Sequence, residues 1–469
     1  MFMRMIYDRT LAQAAYLIGC QKTGEAIVID PERDIDRYIS LAQQENLTIV
    51  AAAETHIHAD FLSGVREFCE QTDAMAYLSD EGGADWDYRW VHEKNRNGDP
   101  YKFTLLKDND QIMIGNIQLR VLHTPGHTPE HICFEITDLG GEADEPMGIV
   151  TGDFMFVGDV GRPDLLETAA GHVGDREPSA RRLGESLRKF STHPDYLQLW
   201  PGHGSGSACG KALGAVPQTT MGYERRFNPA FKQSTEPDQF VASILDGQPE
   251  PPVYFARMKR ENRTGPAVLG GLPQPSQCMV DAIPADSVII DIRPWESFRK
   301  GHLAGSYSIL PEKSFSTVAG AFIEPEQEIV LIAEPNTIEE AVRMLVRVGL
   351  DRVIHWADAE DLDSRSDLHT TQELEVAKID AMNDAVILDV RNASEFAEGH
   401  IPGAINVSYV QLPKRMDEVP AGQPIYVNCR SGIRSARAVS YLNEHGHNAT
   451  NIAGGFLAWE AAGFEIQKP

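Results

Sequence analysis

The sequence is poor in cysteine and has no long apolar run. Its six cysteines among 469 residues are scattered, and none stands in a paired spacing. That usage is typical of a reducing compartment rather than of a disulfide scaffold. No apolar run reaches the ~18–20 residues of a membrane span, and the N-terminus lacks the apolar core and cleavage site of a signal peptide. We therefore expect a cytoplasmic protein with no membrane partner.

Positive charge is also scarce. Lys and Arg number 42 against 69 Asp and Glu, which gives a formal net charge of −27. A surface this negative repels phosphate backbones, so we expect no nucleic-acid partner. It also repels anionic substrates at long range, and any anion-binding site must therefore be built locally.

Two C-terminal segments resemble each other at a spacing of about 98 residues. Residues 288–293 read VIIDIR and residues 386–391 read VILDVR. Each copy continues with a further apolar strand and a helix, a pattern that predicts parallel α/β domains. The first ~245–265 residues lack this pattern and are long enough for a domain of their own. We expect three domains, at residues 1–265, 277–365 and 373–469.

Four short apolar strands of the first domain each run into a polar cluster. The clusters contain His56-Ile57-His58-Ala59-Asp60, His123-Thr124-Pro125-Gly126-His127, Thr151-Gly152-Asp153 and Pro201-Gly202-His203. Loops at strand ends bring distant residues together. Four His and Asp clusters in that context favour one metal site over four unrelated loop histidines.

This arrangement resembles the metallo-β-lactamase fold, an αββα sandwich whose HxHxDH signature begins here at His56. The last His of the signature is replaced by Phe61, and a phenyl ring cannot coordinate a metal. The resemblance implies that the second metal site of the two-zinc hydrolases of this fold is weakened. Two histidines and a carboxylate with open positions are typical of non-haem iron(II) oxygenases.

Within this fold the sequence is most similar to the persulfide dioxygenases, which hold a single iron. The resemblance implies one Fe(II) per chain, with zinc as a substitute. It also implies that His58 and Asp60 orient the ligands or water, and that His203 is a remnant of the second site with either a structural or a functional role. The iron ligands carried over by this resemblance are His56, His127 and Asp153.

Two further residues near these clusters have open interpretations. The segment around Arg162 resembles a Gly-Arg-Thr-Asp segment of the same branch, and Arg162 either binds an anionic substrate group or forms a surface ion pair. Cys209 follows His203 closely in the sequence. It is either an accessory thiol, with Lys211 favouring its thiolate, or a buried and inert cysteine.

The last domain carries a cysteine loop between a strand and a helix. Loop amides, the helix dipole and the side chains of Arg430 and Arg434 favour the thiolate of Cys429. The loop resembles that of rhodanese sulfurtransferases, in which the cysteine carries a terminal sulfur atom. The resemblance implies catalytic roles for Cys429, Arg430 and Arg434, and a substrate-binding role for Gly432. It implies scaffold roles for Asp389, Arg391 and His400.

The middle copy keeps the scaffold sequence but lacks the loop. Ala333 and Glu334 stand where a nucleophile and a cation are needed. We interpret this segment as an inactive rhodanese-like domain that serves spacing or assembly.

Together these resemblances imply an α/β fusion of a persulfide dioxygenase with a sulfurtransferase. It would oxidise a low-molecular-weight thiol persulfide with O2 to sulfite, thiosulfate or both, in sulfide detoxification, and we expect a homo-oligomer. The alternative enzyme is a zinc thioester hydrolase of the glyoxalase II type fused to a rhodanese, and Phe61 argues against it. A non-catalytic alternative treats both repeats as protein-binding modules, and the Cys429 loop argues against it for the last domain.

Overall fold

The computed structural model describes residues 1–168, 174–211, 213–380 and 385–468, without the side chains of residues 166, 168 and 380. The chain divides into two compact units. The first unit comprises Met1–Gln248, Tyr254–Leu272 and Arg347–Gly349, and the second comprises Pro249–Val253, Pro273–Val346 and Leu350–Pro469. The division into domains 1–265, 277–365 and 373–469 stays a prediction. In the described part of the chain, no helix is long and apolar enough to cross a membrane.

Two six-stranded sheets form the centre of the first unit. The first sheet has the order β1-β2-β3-β4-β5-β6, with β1 (Phe2–Asp8), β2 (Gln13–Cys20), β3 (Glu25–Ile29), β4 (Thr48–Ala53), β5 (Met75–Ser79) and β6 (Phe103–Leu106). The second has the order β12-β11-β10-β9-β8-β7, with β7 (Gln111–Ile114), β8 (Ile117–His123), β9 (Ile132–Asp138), β10 (Gly148–Gly152), β11 (Gln198–Pro201) and β12 (Thr219–Thr220). The helices of this unit are α1 (Asp36–Gln44), α2 (Val65–Thr72), α3 (Leu165–Thr168), α4 (Arg176–Phe190), α5 (Met221–Phe227), α6 (Pro229–Gln233), α7 (Pro237–Leu245) and α8 (Phe255–Thr264).

The strand pattern explains why these elements form a sandwich. In β2, Tyr16 and Ile18 face the core between the two sheets, whereas Ala15 and Leu17 face the core under α1 and α2, because successive side chains of a strand point to opposite faces. Residues of α4 and α7 cover the outer face of the second sheet. The unit is the αββα sandwich that the sequence predicts, so that prediction of fold class is confirmed.

The second unit contains two five-stranded parallel sheets with the same connectivity. The first has the order β13-β17-β16-β14-β15, with β13 (Ser276–Gln277), β14 (Val288–Asp291), β15 (Ser306–Ser308), β16 (Ile329–Ala333), β17 (Val353–Asp358), α9 (Trp295–Lys300), α10 (Phe315–Phe322) and α11 (Ile338–Val346). The second has the order β18-β22-β21-β19-β20, with β18 (Glu373–Leu374), β19 (Val386–Asp389), β20 (Ile405–Asn406), β21 (Pro424–Asn428), β22 (Asn448–Ile452), α12 (Val376–Asp380), α13 (Ala393–Glu398), α14 (Ile433–Glu444) and α15 (Gly455–Ala461). Parallel strands joined by helices are the predicted architecture of the repeats.

The two repeats also share one set of buried polar contacts. In the last copy, Arg391 donates hydrogen bonds to Asp389 and to the Gly399 carbonyl, and the His400 ring stacks on Phe396 with centroids 3.7 Å apart. The middle copy repeats these contacts with the residues about 98 positions earlier. These side chains tie the strand to the following loop in both copies, which supports their role as scaffold.

Candidate functional site

Three side chains converge where β4, β8 and β10 end. His56 follows β4, His127 follows β8, and Asp153 follows β10 directly. Their ligand atoms all lie within 4.8 Å of one another, with Asp153 Oδ2 3.6 Å from His127 Nε2 and 4.0 Å from His56 Nε2. The structure thus brings together the three residues that the sequence proposes as metal ligands.

Both histidines turn Nε2 towards this cluster because their Nδ1 atoms are engaged elsewhere. His56 Nδ1 lies 3.0 Å from Thr55 Oγ1, and His127 Nδ1 lies 3.0 Å from the Arg162 carbonyl oxygen. Burial, with further cations nearby, lowers the pKa of His56 and of His127 well below the usual range. Both rings are therefore neutral near pH 7, which is the form that binds metal ions.

The carboxylate of Asp153 indicates what the cluster lacks. Both of its oxygens are buried and have no hydrogen-bond partner among the described residues. Burial raises the pKa of Asp153 to about 6, so the carboxylate remains largely ionised at neutral pH. A buried charge without compensation is costly. Two neutral imidazole nitrogens and one unsatisfied carboxylate fit a divalent metal ion.

His58 belongs to the ring of residues behind the ligands. Its Nε2 lies 3.1 Å from Asp30 Oδ1, and the other Asp30 oxygen accepts a hydrogen bond from Thr55 Oγ1. Burial alone would lower the pKa of His58, but the Asp30 carboxylate raises it to about 9. The contact with Asp30 holds the ring of His58 beside the loop that carries His56, which supports its predicted orienting role.

A second group of donors lies against the first. Asp60, His203 and Cys209 have ligand atoms within 4.8 Å of one another, and His203 Nε2 lies 3.3 Å from Asp60 Oδ2 and 3.4 Å from Asp153 Oδ1. Phe61 is fully buried with its ring 4.4 Å from that of His58. The sequence singles out each of these residues but does not predict that Cys209 joins Asp60 and His203.

Cys209 is a buried thiol, and the prediction that Lys211 favours its thiolate is wrong. Lys211 Nζ donates hydrogen bonds to the carbonyl oxygens of Ser243 and Asp246, at 2.9 and 3.0 Å. Burial, together with the Asp60 and Asp153 carboxylates, raises the pKa of Cys209 well above its usual range. The thiol is therefore protonated at neutral pH in the absence of a metal ion.

Arg162 is a buried ion-pair partner. It is 1% exposed, its Nε and Nη2 donate to the two Asp164 oxygens at 2.9 and 2.6 Å, and its Nη1 donates to the Ala208 carbonyl at 3.0 Å. These contacts favour the ion-pair interpretation, although the pair is buried rather than on the surface. They fasten the loop that carries Cys209 to the segment that follows β10.

Two buried charged residues of this site are missing from the sequence-based prediction. Glu130 accepts a hydrogen bond from the Ile57 backbone N–H at 2.8 Å and so holds the loop between His56 and His58. Lys259 lies on α8 and is 6% exposed. Its position carries no sequence signal, because a lysine on an amphipathic helix usually indicates a solvated face.

The cysteine loop lies between β21 and α14. Cys429 is 1% exposed, and its Sγ accepts hydrogen bonds from the Gly432 backbone N–H at 3.1 Å and from Ser435 Oγ at 3.3 Å. Gly432 has a φ of +93°, a conformation that favours glycine. The loop therefore surrounds the sulfur with donors, an arrangement that stabilises a sulfur anion.

The arginines around this loop differ from one another. Arg434 makes a bidentate ion pair with Glu395 at 2.7 and 2.8 Å, whereas Arg430 is exposed. Arg437, one turn further along α14, is 2% exposed, and its Nε and Nη2 have no hydrogen-bond partner among the described residues. Its Nη1 reaches the Lys313 carbonyl of the middle copy at 3.5 Å. The sequence does not predict this buried cation.

The middle copy has no thiol in the equivalent place. Ala333 is buried at the end of β16 and Glu334 is exposed beyond it. Cys278 lies next to β13, where its backbone N–H donates to the Trp356 carbonyl. These positions support the interpretation of the middle copy as an inactive domain.

Comparisons with known proteins agree with this architecture. A model of the metallo-β-lactamase superfamily matches residues 8–203, and a model of the rhodanese-like domain matches residues 278–358 and 372–462. A crystal structure described as a metallo-β-lactamase from Staphylococcus aureus subsp. aureus COL is 42% identical, covers 76% of this chain and 99% of that chain, and has a TM-score of 0.69.

Two curated relatives match separate parts of the chain. A sulfurtransferase of Allochromatium vinosum is 37% identical over 87 residues, which is 18% of this chain and 81% of the relative. A protein of Schizosaccharomyces pombe named as a probable hydroxyacylglutathione hydrolase is 27% identical over 247 residues, which is 48% of this chain and 84% of the relative. The chain belongs to the metallo-β-lactamase superfamily, and its metallo-β-lactamase domain is followed by two rhodanese-like domains.

Proposed function

We propose that the chain is a non-haem iron persulfide dioxygenase joined to a rhodanese-type sulfurtransferase. The observation that carries the proposal is the set of three donors, His56, His127 and Asp153, with Phe61 in place of a further histidine. Two histidines and one carboxylate leave open positions on an iron(II) ion for a substrate. The presence of rhodanese-like domains in the same chain points to sulfur chemistry at both sites.

His56, His127 and Asp153 would hold one Fe(II) ion, which supplies the redox chemistry with O2. The other residues of the site bind and orient. His58 and Glu130 fix the backbone that carries His56, and burial of all these side chains excludes bulk water from the reaction. The overall reaction consumes the persulfide, one O2 and one water molecule, and it releases sulfite, the free thiol and two protons.

Cys429 is the sulfur carrier of the last domain in this proposal. Its thiolate attacks the outer sulfur of a thiol persulfide, the S–S bond of the donor breaks, the donor leaves as a thiolate, and Cys429 becomes a persulfide. Sulfite then attacks that outer sulfur, the S–S bond breaks, thiosulfate leaves, and the electron pair returns to Cys429 as thiolate. The Gly432 N–H and Ser435 hydroxyl, which already donate to Sγ, stabilise the sulfur anion at both stages.

Metal content and oxygen uptake test the first activity. Protein purified without added metal should contain about one iron per chain, and it should consume O2 when a thiol persulfide is supplied. Two tightly held zinc ions per chain, with no O2 uptake after anaerobic loading with iron(II), would contradict the proposal.

Substitution of Cys429 tests the second activity in the full chain. Cys429→Ser should retain iron and O2 uptake, lose thiosulfate:cyanide sulfurtransferase activity, and shift the product from thiosulfate towards sulfite. Any sulfurtransferase activity that survives would have to come from the middle domain and would show that the domain is not silent. Equal thiosulfate yields from both proteins, after correction for the spontaneous reaction, would refute the coupling through Cys429.

A second candidate function is a zinc thioester hydrolase. It is favoured by the cluster of Asp60, His203 and Cys209, whose donor atoms could hold a second cation beside the first, and by the Schizosaccharomyces pombe relative. Hydrolysis of S-lactoylglutathione by protein that holds two zinc ions would support this candidate over the dioxygenase.

A further inference from the structure

Helix α8 is fastened to the loop that carries the metal ligands. Asn262 Nδ2 donates hydrogen bonds to the carbonyl oxygens of His58 at 2.9 Å and Phe61 at 2.7 Å, and its Oδ1 accepts one from the Ser63 N–H at 2.8 Å. Asn262 is itself 1% exposed. Side chains on the same face of α8, one turn earlier, are therefore held in a fixed position relative to the metal centre.

Lys259 is the residue one turn before Asn262. It is 6% exposed, and its Nζ is buried without a hydrogen-bond partner among the described residues. Nζ lies 4.3 Å from the centroid of the Trp86 ring, and a cation–π contact replaces only part of the lost hydration of an ammonium group. Within the described part of the chain, Lys259 is thus a buried cation that makes no hydrogen bond through Nζ.

The position of Lys259 one turn before Asn262, which is bonded to the carbonyls of His58 and Phe61, agrees with its electrostatic interactions with residues of the metal centre. Burial lowers the pKa of Lys259 to about 8, against the opposing influence of Glu130, Cys209 and Asp153. The same ammonium is one of the groups that lower the pKa of His127, after burial. Lys259 therefore acts on residues of both donor clusters.

We propose that the Lys259 ammonium binds the negative charge of the ionised persulfide at the metal centre. This inference rests on the proposed dioxygenase function and names the charge state of its substrate. A net charge of −27 repels anions at long range, so a buried local cation is what an anionic substrate requires. The carbonyl of a bound thioester is neutral in the ground state, so binding of a thioester substrate requires no such cation. Lys259 is a positioning residue for the substrate in this proposal.

The test compares two ligands that differ in the charge of the outer sulfur and by one methyl group. Glutathione persulfide ends in an ionised sulfur, and the mixed disulfide of glutathione with methanethiol ends in a neutral S-methyl group. Each is titrated calorimetrically, without O2, into full-length protein loaded with zinc, so that binding is measured without turnover. The variants are Lys259→Met, Lys259→Gln and Lys259→Arg, and Lys211→Met serves as the matched control because its Nζ is bonded to Ser243 and Asp246.

We expect both neutral variants to bind the persulfide about 10- to 100-fold more weakly than the parent, the range for a charge-assisted hydrogen bond. Their affinity for the methyl disulfide should be unchanged, Lys259→Arg should recover much of the loss, and Lys211→Met should behave as the parent. Equal losses for both ligands, or no loss for either, would overturn the inference. Metal content and melting temperature show whether each variant is folded, and Lys259→Gln replaces Lys259→Met if the latter is not.

The proposed function has a separate test. Oxygen uptake by the iron-loaded parent decides whether the dioxygenase proposal holds, whatever the lysine variants bind. If the parent consumes O2 with persulfide and the neutral variants keep its KM as well as its binding constants, the inference about Lys259 fails alone. If the parent consumes no O2, the function fails, and the inference that rests on it is overturned as well.

Discussion

Gly455→Ala should disable the cysteine loop without unfolding the metal centre. Gly455 begins α15 with a φ of +56°, and the first free N–H groups of that helix, from Phe456 and Leu457, donate to the carbonyl oxygens of Cys429 and Arg430 at 2.7 and 2.9 Å. A Cβ atom at position 455 would lie 2.3 Å from the Cys429 carbonyl oxygen and 2.9 Å from the Arg430 carbonyl carbon. Both obstacles are backbone atoms of the loop itself.

The free-energy cost of Gly455→Ala has two parts, backbone strain and a steric clash of the new Cβ atom. A left-handed backbone costs a non-glycine residue about 1–2 kcal/mol, and overpacking against rigid atoms adds about 1–3 kcal/mol. Gly403 provides a matched control in the same domain, since it has a φ of +75° but nothing within 4 Å of an added Cβ. Gly403→Ala therefore introduces only the backbone strain, and the difference in stability and activity between the two variants measures the effect of the clash.

The assay is thiosulfate:cyanide sulfurtransferase activity of the full chain, with metal content measured beside it. Displacing a reactive group by about 1 Å can lower a rate about 100-fold, so Gly455→Ala should lose about that factor while Gly403→Ala stays within a few-fold of the parent. Metal content should be the same in all three proteins. Equal activities of the two variants would refute the argument that Gly455 is required by its contact with the Cys429 loop.

Three further predictions follow from single contacts. His127→Ala should remove the metal and all O2 uptake, measured by metal analysis and an oxygen electrode, and a variant that retains one metal per chain would exclude His127 as a ligand. Burial would raise the pKa of Glu395, but the ion pair with Arg434 lowers it below its usual value of 4.5. This pair should therefore stabilise the fold above about pH 4.5 and lose that effect as the pH falls. Glu395→Gln should weaken the dependence of the free energy of unfolding on pH below about 4.5, measured by urea unfolding at several pH values, and an unchanged dependence would contradict the pairing. Arg437→Met should leave the melting temperature unchanged or higher, because the buried charge of Arg437 has few partners among the described residues. The variant should also raise the KM for the thiosulfate anion, because the Arg437 guanidinium interacts electrostatically with Cys429. A large fall in melting temperature would show that the guanidinium is structural.

Residues adjacent to strand ends were predictable from the sequence. His56, His127 and Asp153 each follow an apolar strand, and the structure brings them together because those strands end near one another. The αββα sandwich and the parallel sheets of the repeats follow from the same strand patterns together with the resemblances. Cys429 was predictable for a similar reason, since a Cys-Arg run between a strand and a helix is a local signal.

Residues within helices were not predictable. Lys259 and Arg437 occupy helix positions that a sequence pattern assigns to solvent, and only tertiary packing shows that both are buried. The error about Lys211 has the same origin: nearness to Cys209 in sequence suggested contact, whereas its side chain bonds to carbonyls about 30 residues away. The pairing of Arg434 with Glu395 likewise depends on a contact between α13 and α14 that no spacing rule reveals.

The packing of α14 gives the middle copy a structural role that needs no catalytic loop. This helix follows the Cys429 loop directly, and its far half packs against the middle copy: Ser440 Oγ accepts a hydrogen bond from the Ser308 N–H at 3.0 Å, and the Tyr441 ring lies 4.3 Å from that of Phe322. The middle copy needs β15 and α10 for this contact, and neither element depends on a catalytic loop. The presence of Ala333 and Glu334 in place of a catalytic loop therefore leaves the contact with α14 unchanged. Loss of the middle fold, in contrast, would expose the helix that follows the Cys429 loop.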